Sequence, residues 1–557
     1  MASLWQRSRA VRSGVLAAFI AFACAGDRSR PGTLVISAAG DADILFPPVV
    51  SEEQAEQVTD LVFERLAEIS PDLNTVGDVG WTPALAQRWE WSRDSMAVTF
   101  YLDPGARWHD GVPVRAPDVR FAFAVYTDPA VASSDGADIR GVADSISVGD
   151  SLTCTVWFKR RLPERFYTVV YNLVPLPEHL LGSIRHDSLA TSPYARRPVG
   201  NGPYRMVRWK PGQRIEIAAV PDFHRGRPNV DRVIWTIVAK GDVAVARVFA
   251  GDADFIYKLN AADAVRISQY PALRSIHLGT SAITFAVFNQ HDGASDRPHP
   301  ILSDRAVRRA LTMAVDRAAI ISNVLDSLGM EPLGPASRQL WSMDSTLHRL
   351  PYDPAAAARL LDSAGWRVGA NGMRARNGKP FAISVFVSQS TGERYHVAVL
   401  LQEQWKKIGV ALNIEQIDQQ ALRDKMHAKQ FDVALAQVGA APSPIGLRQT
   451  WSSAAIPLEN SLNSGRYSNP KLDALIDSAA NAQSVAQARR YYHAAYQVLL
   501  DDAPGLWLYE PIVVAAANTR VQISLVGKRP WWTTIPAWRV AAGGAGQGGL
   551  ASAQKTP

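Results

Sequence analysis

FNQHDGASDRPHPILSDRAVRRALTMAVDRAAII, Phe288–Ile321, passes within a short span from strand to loop to helix. It opens at the end of an apolar run, Ile283–Phe288, that has the texture of a strand, and continues into a polar loop with Gly and Pro. Ser303 or Asp304 then supplies a helix N-cap, and Val307, Leu311, Ala314 and Ala318 recur at helical spacing. Asp316 can cap a second helix with Ile320, Ile321, Val324 and Leu325 as its buried face. These helices read as scaffold, with Arg305, Arg308 and Arg309 facing solvent. A strand, a loop and a helix pair near the middle of a long chain read as a passage between two lobes, with Ile283–Asn289 as the crossing strand.

The rest of the chain agrees with more than one core. Its 557 residues exceed what a single core serves. A hydrophobic content of 47% and a charged content of 20% are those of a soluble globular protein. The 16 Trp residues suit large cores, and some suit the walls of a ligand pocket. The formal charge is +7; without residues 1–23, which hold Arg7, Arg9 and Arg12 and no acid, it is +4. No basic block or finger motif points to nucleic acid.

Residues 1–23 form a secretory signal: a basic start, then an apolar run from Gly14 to Ala23 that is too short for a bilayer. Ala21-Phe22-Ala23-Cys24 is similar to a bacterial lipobox, which makes Cys24 a lipidation site; the alternative is plain cleavage after Ala23. The only other cysteine, Cys154, sits in the strand-like run Leu152–Phe158 and reads as a small buried hydrophobe, so a disulfide framework is excluded by count.

Along the mature chain, strands and helices alternate on both sides of the midpoint, which predicts two α/β lobes. Glu52–Leu66 reads as a helix with Ala55, Val58, Leu61, Val62 and Leu66 apolar. Arg88–Trp91 and Met96–Leu102 begin a β-meander, with a helix at Ala116–Tyr126 and strands at Ser145–Val148 and Leu152–Phe158. Gly200-Asn201-Gly202-Pro203 punctuates the chain; its glycines are expected to serve positive φ, and Asn201 and Gly202 to be structural. Later helices are predicted at Asp353–Ala364, Glu393–Ile408 and Ala486–Asp501, and strands at Ala411–Ile417 and Phe431–Val438.

No catalytic constellation is visible. There is no G-x-S-x-G elbow, no H-E-x-x-H and no P-loop, and the 11 His are scattered. No catalytic residue, metal site or cofactor is predicted.

Several segments together resemble one family, the extracytoplasmic solute-binding proteins of ABC importers in the peptide/nickel-type class, family 5. They are FERL at Phe63–Leu66, WTPALA at Trp81–Ala86 leading to Trp89, and FYLDPGARWHDG at Phe100–Gly111 with Pro113 and Asp118 after it. VGNGPY at Val199–Tyr204, SDRAVRRALTMAVDR at Ser303–Arg317, DPAAAARLLDSAGW at Asp353–Trp366 and YSNPKLD at Tyr467–Asp473 complete the series. Each is modest alone; their order and spacing carry the resemblance.

The resemblance implies an α/β, two-lobed periplasmic-binding-protein-like fold of type II, in the large cluster with an extra subdomain in lobe I. Lobe I would comprise 24–66, 196–285 and 510–540, the extra subdomain 67–195, lobe II 290–508, and a disordered tail 541–557. It implies hinge closure over a small solute, a peptide among the candidates, and delivery to an ABC permease by a monomer tethered through a lipid anchor. A sensor that signals without import, or an exported hydrolase, are the alternatives. Peptide-binding members pair an extended ligand with a lobe II strand and anchor its α-ammonium on a carboxylate beside it. That strand corresponds to Asp432–Gly439, and no acid stands at Val438–Ala440. A buried ammonium would then lack a counter-charge, which disfavours a free peptide N-terminus unless an acid from elsewhere, such as Asp41 or Asp43, replaces it. A modified peptide, an oligosaccharide or a metallophore would suit such a pocket. The expected ligand-binding residues are Phe46, Gln437, Val438, Gly439 and Trp451.

Overall fold

The computed structural model describes residues 31–542 except 51, 134, 239, 280, 281, 327, 390, 391, 440, 441, 445, 458–460 and 483. The signal segment, Cys24, Ala440 and the tail from 543 onward lie outside the described residues.

Two mixed sheets carry the architecture. The lobe I sheet has seven strands in the order Leu273–Gly279, Val513–Asn518, Phe255–Ile256, Thr33–Ala38, Arg232–Ile237, Arg214–Ala219, Tyr204–Lys210. Its central strand Thr33–Ala38 is parallel to both neighbours and buried throughout. Leu34, Ile36 and Ala38 enter one core and Val35 another, because both faces of the sheet are covered. The lobe II sheet has six strands in the order Gly329–Met330, Gly505–Pro511, Ala282–Phe288, Val433–Gly439, Ala382–Ser388, Ala411–Ile417. It too separates two cores, with Val433 and Leu435 on one side and Ala434 on the other. The predicted meander is a four-stranded antiparallel sheet, Ala86–Trp91, Ala97–Leu102, Thr153–Phe158, Ala143–Asp150, backed by helix Ala116–Thr127. Cys154 is free and fully buried within it.

The chain passes from one sheet to the other twice, at neighbouring points. It leaves the lobe I sheet after Gly279 and joins the lobe II sheet at Ala282; it returns through Ile512, between Pro511 and Val513. The strands flanking these passages pair with each other in both sheets. The two passages are therefore bounded on both sides by paired strands. Strand Ala282–Phe288 lies wholly in the lobe II sheet, so the passage itself is shorter than the sequence reading of Ile283–Asn289.

Beyond the first passage, Asp304 caps helix Arg305–Met313 by accepting from Ala306 N (2.8 Å), and Asp316 caps Arg317–Ile320 by accepting from Ala319 N (2.9 Å). One expectation for this helix is overturned. Arg308 does not face solvent; it is 3% exposed. Its guanidinium donates to the carbonyls of Leu302 and Ser303 (both 2.9 Å) and of Asp502 (3.0 Å) and Ala503 (3.2 Å). These include the open C-terminal carbonyls of helix Val485–Asp502, which a buried cation both satisfies and complements.

The turn at Gly200-Asn201-Gly202 is structural, but for a different reason from the one expected. Neither glycine is among the residues with positive φ. A Cβ at either position would collide with the backbone of Val62. Asn201, 1% exposed, accepts from Glu64 N (3.0 Å), and Gly202 N donates to Val62 O (2.8 Å). The turn thus clamps the C-terminal end of helix Glu53–Val62.

Candidate functional site

Between the lobes lies a cavity of about 990 Å³, at the upper end of the range for small-molecule sites. Lobe II contributes Ala282, Gln339, Gln437, Gly439, Pro442 and Pro511 to its lining. The register explains why the strand end Gln437–Gly439 reaches it. Val433–Gly439 pairs along its whole length with Ala282–Phe288 on one side. On the other side Ala382–Ser388 pairs only with Val433 and Ala434. Leu435–Gly439 therefore has an edge without a strand partner among the described residues. Gln437 itself is held by Arg394, whose guanidinium donates to Oε1 (3.0 Å).

Lobe I supplies most of the remaining wall. Helix Glu53–Val62 buries Ala55, Val58, Leu61 and Val62 and presents Glu53, Glu56, Thr59 and Asp60 to the cavity. Asp135, Tyr126, Tyr167 and Tyr171 come from the extra subdomain, Tyr257 from the end of the inner strand Phe255–Ile256, and Lys528, Arg529, Trp531 and Trp532 from the C-terminal segment. Tyr257 stacks on Trp531, with ring centroids 5.8 Å apart. Asp60 is neutralised by Arg65 (2.9 Å) and accepts from Trp532 Nε1 (2.9 Å). Burial raises the Glu56 carboxyl to about 7, with the charges of Asp60 and Glu53 adding to it. Burial likewise raises Asp135 to about 6, reinforced by Asp138.

The lobes touch at a second place, through buried polar groups. Glu164 of the extra subdomain accepts hydrogen bonds from Thr75 on its own side and from Ser443 Oγ of lobe II (2.7 Å). Trp341 Nε1, also of lobe II, donates to Thr75 Oγ1 (3.0 Å), which closes a small network across the interface. Burial pushes the Glu164 carboxyl up to about 7 against these hydrogen bonds. Lys528 Nζ adds a third link, donating to Gln339 O (2.9 Å).

Of the residues expected to bind ligand, the structure brings Gln437 and Gly439 to the cavity. Val438 turns to the opposite face of its strand and packs on a lobe II core. Phe46 is fully buried, edge-on to Tyr194 at 6.4 Å, and does not line the cavity. Trp451, 3% exposed, packs against Phe285, Tyr467 and Trp507 instead. Both follow the ordinary preference of large aromatics for the core. Asp41 is tied to Trp209 Nε1 (3.0 Å) and Gly212 N (2.6 Å), and neither it nor Asp43 lines the cavity. The acids that do line it were missed. Their signal was the spacing of Glu53, Glu56 and Asp60 on the polar face of a helix read only as amphipathic.

The profile of the bacterial extracellular solute-binding proteins, family 5 (middle), matches residues 80–456. The oligopeptide-binding protein AppA of Bacillus subtilis is 25% identical over 503 residues, covering 87% of this chain and 88% of its own. Its structure in complex with a nonapeptide aligns with a TM-score of 0.77 at 24% identity, covering 92% of this chain and 100% of that one. The structure of NikZ from Campylobacter jejuni in complex with Ni(L-His) aligns with a TM-score of 0.78 at 22% identity, with the same coverage. Heme-binding protein A of Haemophilus influenzae is 26% identical over 492 residues, covering 83% of this chain and 84% of its own.

Proposed function

The chain belongs to the family 5 extracytoplasmic solute-binding proteins of ABC importers, and from that premise we propose that it captures an extended, peptide-like solute between its lobes. The family is one of transport proteins, so the role is binding and delivery to a permease rather than catalysis. The observation that carries the reading is the strand end Leu435–Gly439, which borders the cavity with one edge open. An extended main chain can add there as a further strand, and such pairing is indifferent to most side chains. The cavity volume corresponds to roughly thirty water molecules, room for several linked units rather than one amino acid. AppA is an oligopeptide-binding protein and was solved with a nonapeptide; the likeness of fold lends that ligand class to this cavity. Closure follows because a ligand seated here touches both lobes.

Native mass spectrometry of the purified mature protein tests this. A co-purifying peptide is expected; a non-peptide ligand held stoichiometrically would refute the reading. The protein acts as a monomer on a lipid anchor at Cys24. Cys24→Ser is expected to release it from membranes into the soluble fraction, and unchanged membrane retention would count against the anchor.

A further inference from the structure

Resting on the reading of this cavity as the solute site, we propose that it selects solutes bearing an organic cation, an ammonium or guanidinium group, seated against Glu56 and Asp135 on the lobe I wall. The two carboxylates come from different elements, both line the cavity, and neither has a hydrogen bond or ion pair with the described residues. Their neighbours are otherwise accounted for. Asp60 is paired with Arg65, which also donates to Tyr171 O (2.6 Å), and Glu53 lies in the field of Lys258. Glu56 and Asp135 remain without a direct partner, Glu56 feels the charge of Asp135, and the field of Arg65 reaches both.

Helix electrostatics explain part of this arrangement but not all of it. Glu53 and Glu56 sit in the first turn of their helix, where acids complement the dipole. Asp135 stands at the N-cap of Gly136–Val142, yet its carboxylate accepts no capping hydrogen bond. A metal ion is a poor fit, since among the described residues no group of three or more His, Cys, Asp or Glu is placed to hold one. A second mark of a ligand lies on the same wall. Trp531 is 4% exposed and lines the cavity, and its indole N–H has no acceptor among the described residues. A solute cation would supply the partner the carboxylates lack, and a carbonyl beside it would satisfy the indole N–H once closure on the solute shifts the wall around Trp531.

Four probes test the proposal by calorimetry on the mature chain: pentaalanine with a free N-terminus, N-acetyl-pentaalanine amide, an N-acetylated peptide amide with one lysine, and spermidine. At least one cationic probe is expected to bind about 10- to 100-fold more tightly than the neutral amide, the range for a hydrogen-bonded charge. In Glu56→Gln/Asp135→Asn, verified as folded by circular dichroism, that ratio is expected to fall towards one. Which cationic probe gains most tells an α-ammonium from a side-chain cation. If spermidine binds with the same dependence on Glu56 and Asp135 while no peptide binds, the peptide-like reading falls and the charge proposal stands. The proposal is overturned if the neutral amide binds as tightly as every cationic probe, if the advantage survives in the double variant, or if none of the four binds.

Discussion

The lobe I wall of the cleft presents side chains, whereas the lobe II wall presents main chain. Beyond its first turn helix Glu53–Val62 satisfies its backbone internally, so what it offers a solute is chiefly the row of Glu53, Glu56, Thr59 and Asp60. The strand end Leu435–Gly439 offers an edge that no strand of the described residues pairs with, and carries no charged side chain. On the proposed reading the two surfaces do different work. Backbone pairing accepts any extended chain and supplies affinity, whereas fixed carboxylates reward a matching charge and supply discrimination. Splitting the two tasks between lobes also couples them to motion, because a solute that needs both walls is held only when the cleft is closed.

If the lobe I wall discriminates, its position matters more than any single contact. Helix Glu53–Val62 is held by the close approach of Gly200 and Gly202 to Val62. Gly200→Ala puts a methyl group against the Val62 carbonyl oxygen, and backbone there has little freedom to retreat. The expected cost is about 3 kcal/mol of stability, typical of severe overpacking, read as a lower denaturation midpoint. An unchanged midpoint would mean that the wall is not fixed by this clamp. Next in size is Glu56→Lys, which reverses the charge without touching the lobe II strand. It is expected to weaken cationic probes by about 100-fold, and a neutral amide far less, in equilibrium binding. Equal losses for both would show that the wall is steric rather than electrostatic.

How much of this division was legible in the sequence depends on the length scale of the signal. The two-lobed fold, the capping of Arg305–Met313 by Asp304 and the buried Cys154 follow from local spacing and from ordered motifs, and both survive without knowledge of partners. Gln437 and Gly439, which line the cavity, were singled out because a resemblance located the strand. The lobe I acids were not, because a polar helix face looks the same in sequence whether it meets bulk water or a cleft. Arg308 misled for the converse reason: two of its partners, the carbonyls of Asp502 and Ala503, lie nearly two hundred residues away. Phe46 and Trp451 show that an aromatic near a cleft is core unless its surroundings prove otherwise.

Between the walls, Glu164 gives the comparison a pH dependence of its own. Burial among Thr75, Ser443 and Trp341 raises its carboxyl from an ordinary 4.5 to about 7, and opening of the cleft is expected to wet it and return it towards 4.5. Tyr167, Tyr492 and Tyr496 also lie in its field, and theirs are raised too, chiefly by burial. Closure thus takes up a proton: its contribution is complete below the open-state value and is lost as pH rises through about 7. Glu56 and Asp135 act in the opposite sense, since a cation binds their ionised forms and gains as pH rises through their raised values. For a neutral amide, Glu164→Gln is expected to flatten the fall in affinity between pH 6 and 8, a window set by the raised Glu164 value. For a cationic probe it leaves a rise. A fall that persists in Glu164→Gln would place the proton elsewhere.

The smallest effect is expected where sequence reasoning placed the site most directly, at Gln437. Its side-chain carbonyl is already engaged by Arg394, so the residue brings a solute mainly its main chain and a short stretch of wall. Gln437→Ala keeps that main chain and its pairing with Thr284. The affinity of every probe is expected to change together by no more than about threefold, the scale of one modest hydrogen bond, with the ratio of cationic to neutral binding unaltered. A uniform small shift is what a backbone wall predicts. A loss of about thirtyfold confined to one probe would mean that lobe II reads side chains as well, and the contrast between a charge-reading helix and an indifferent strand would have to be abandoned.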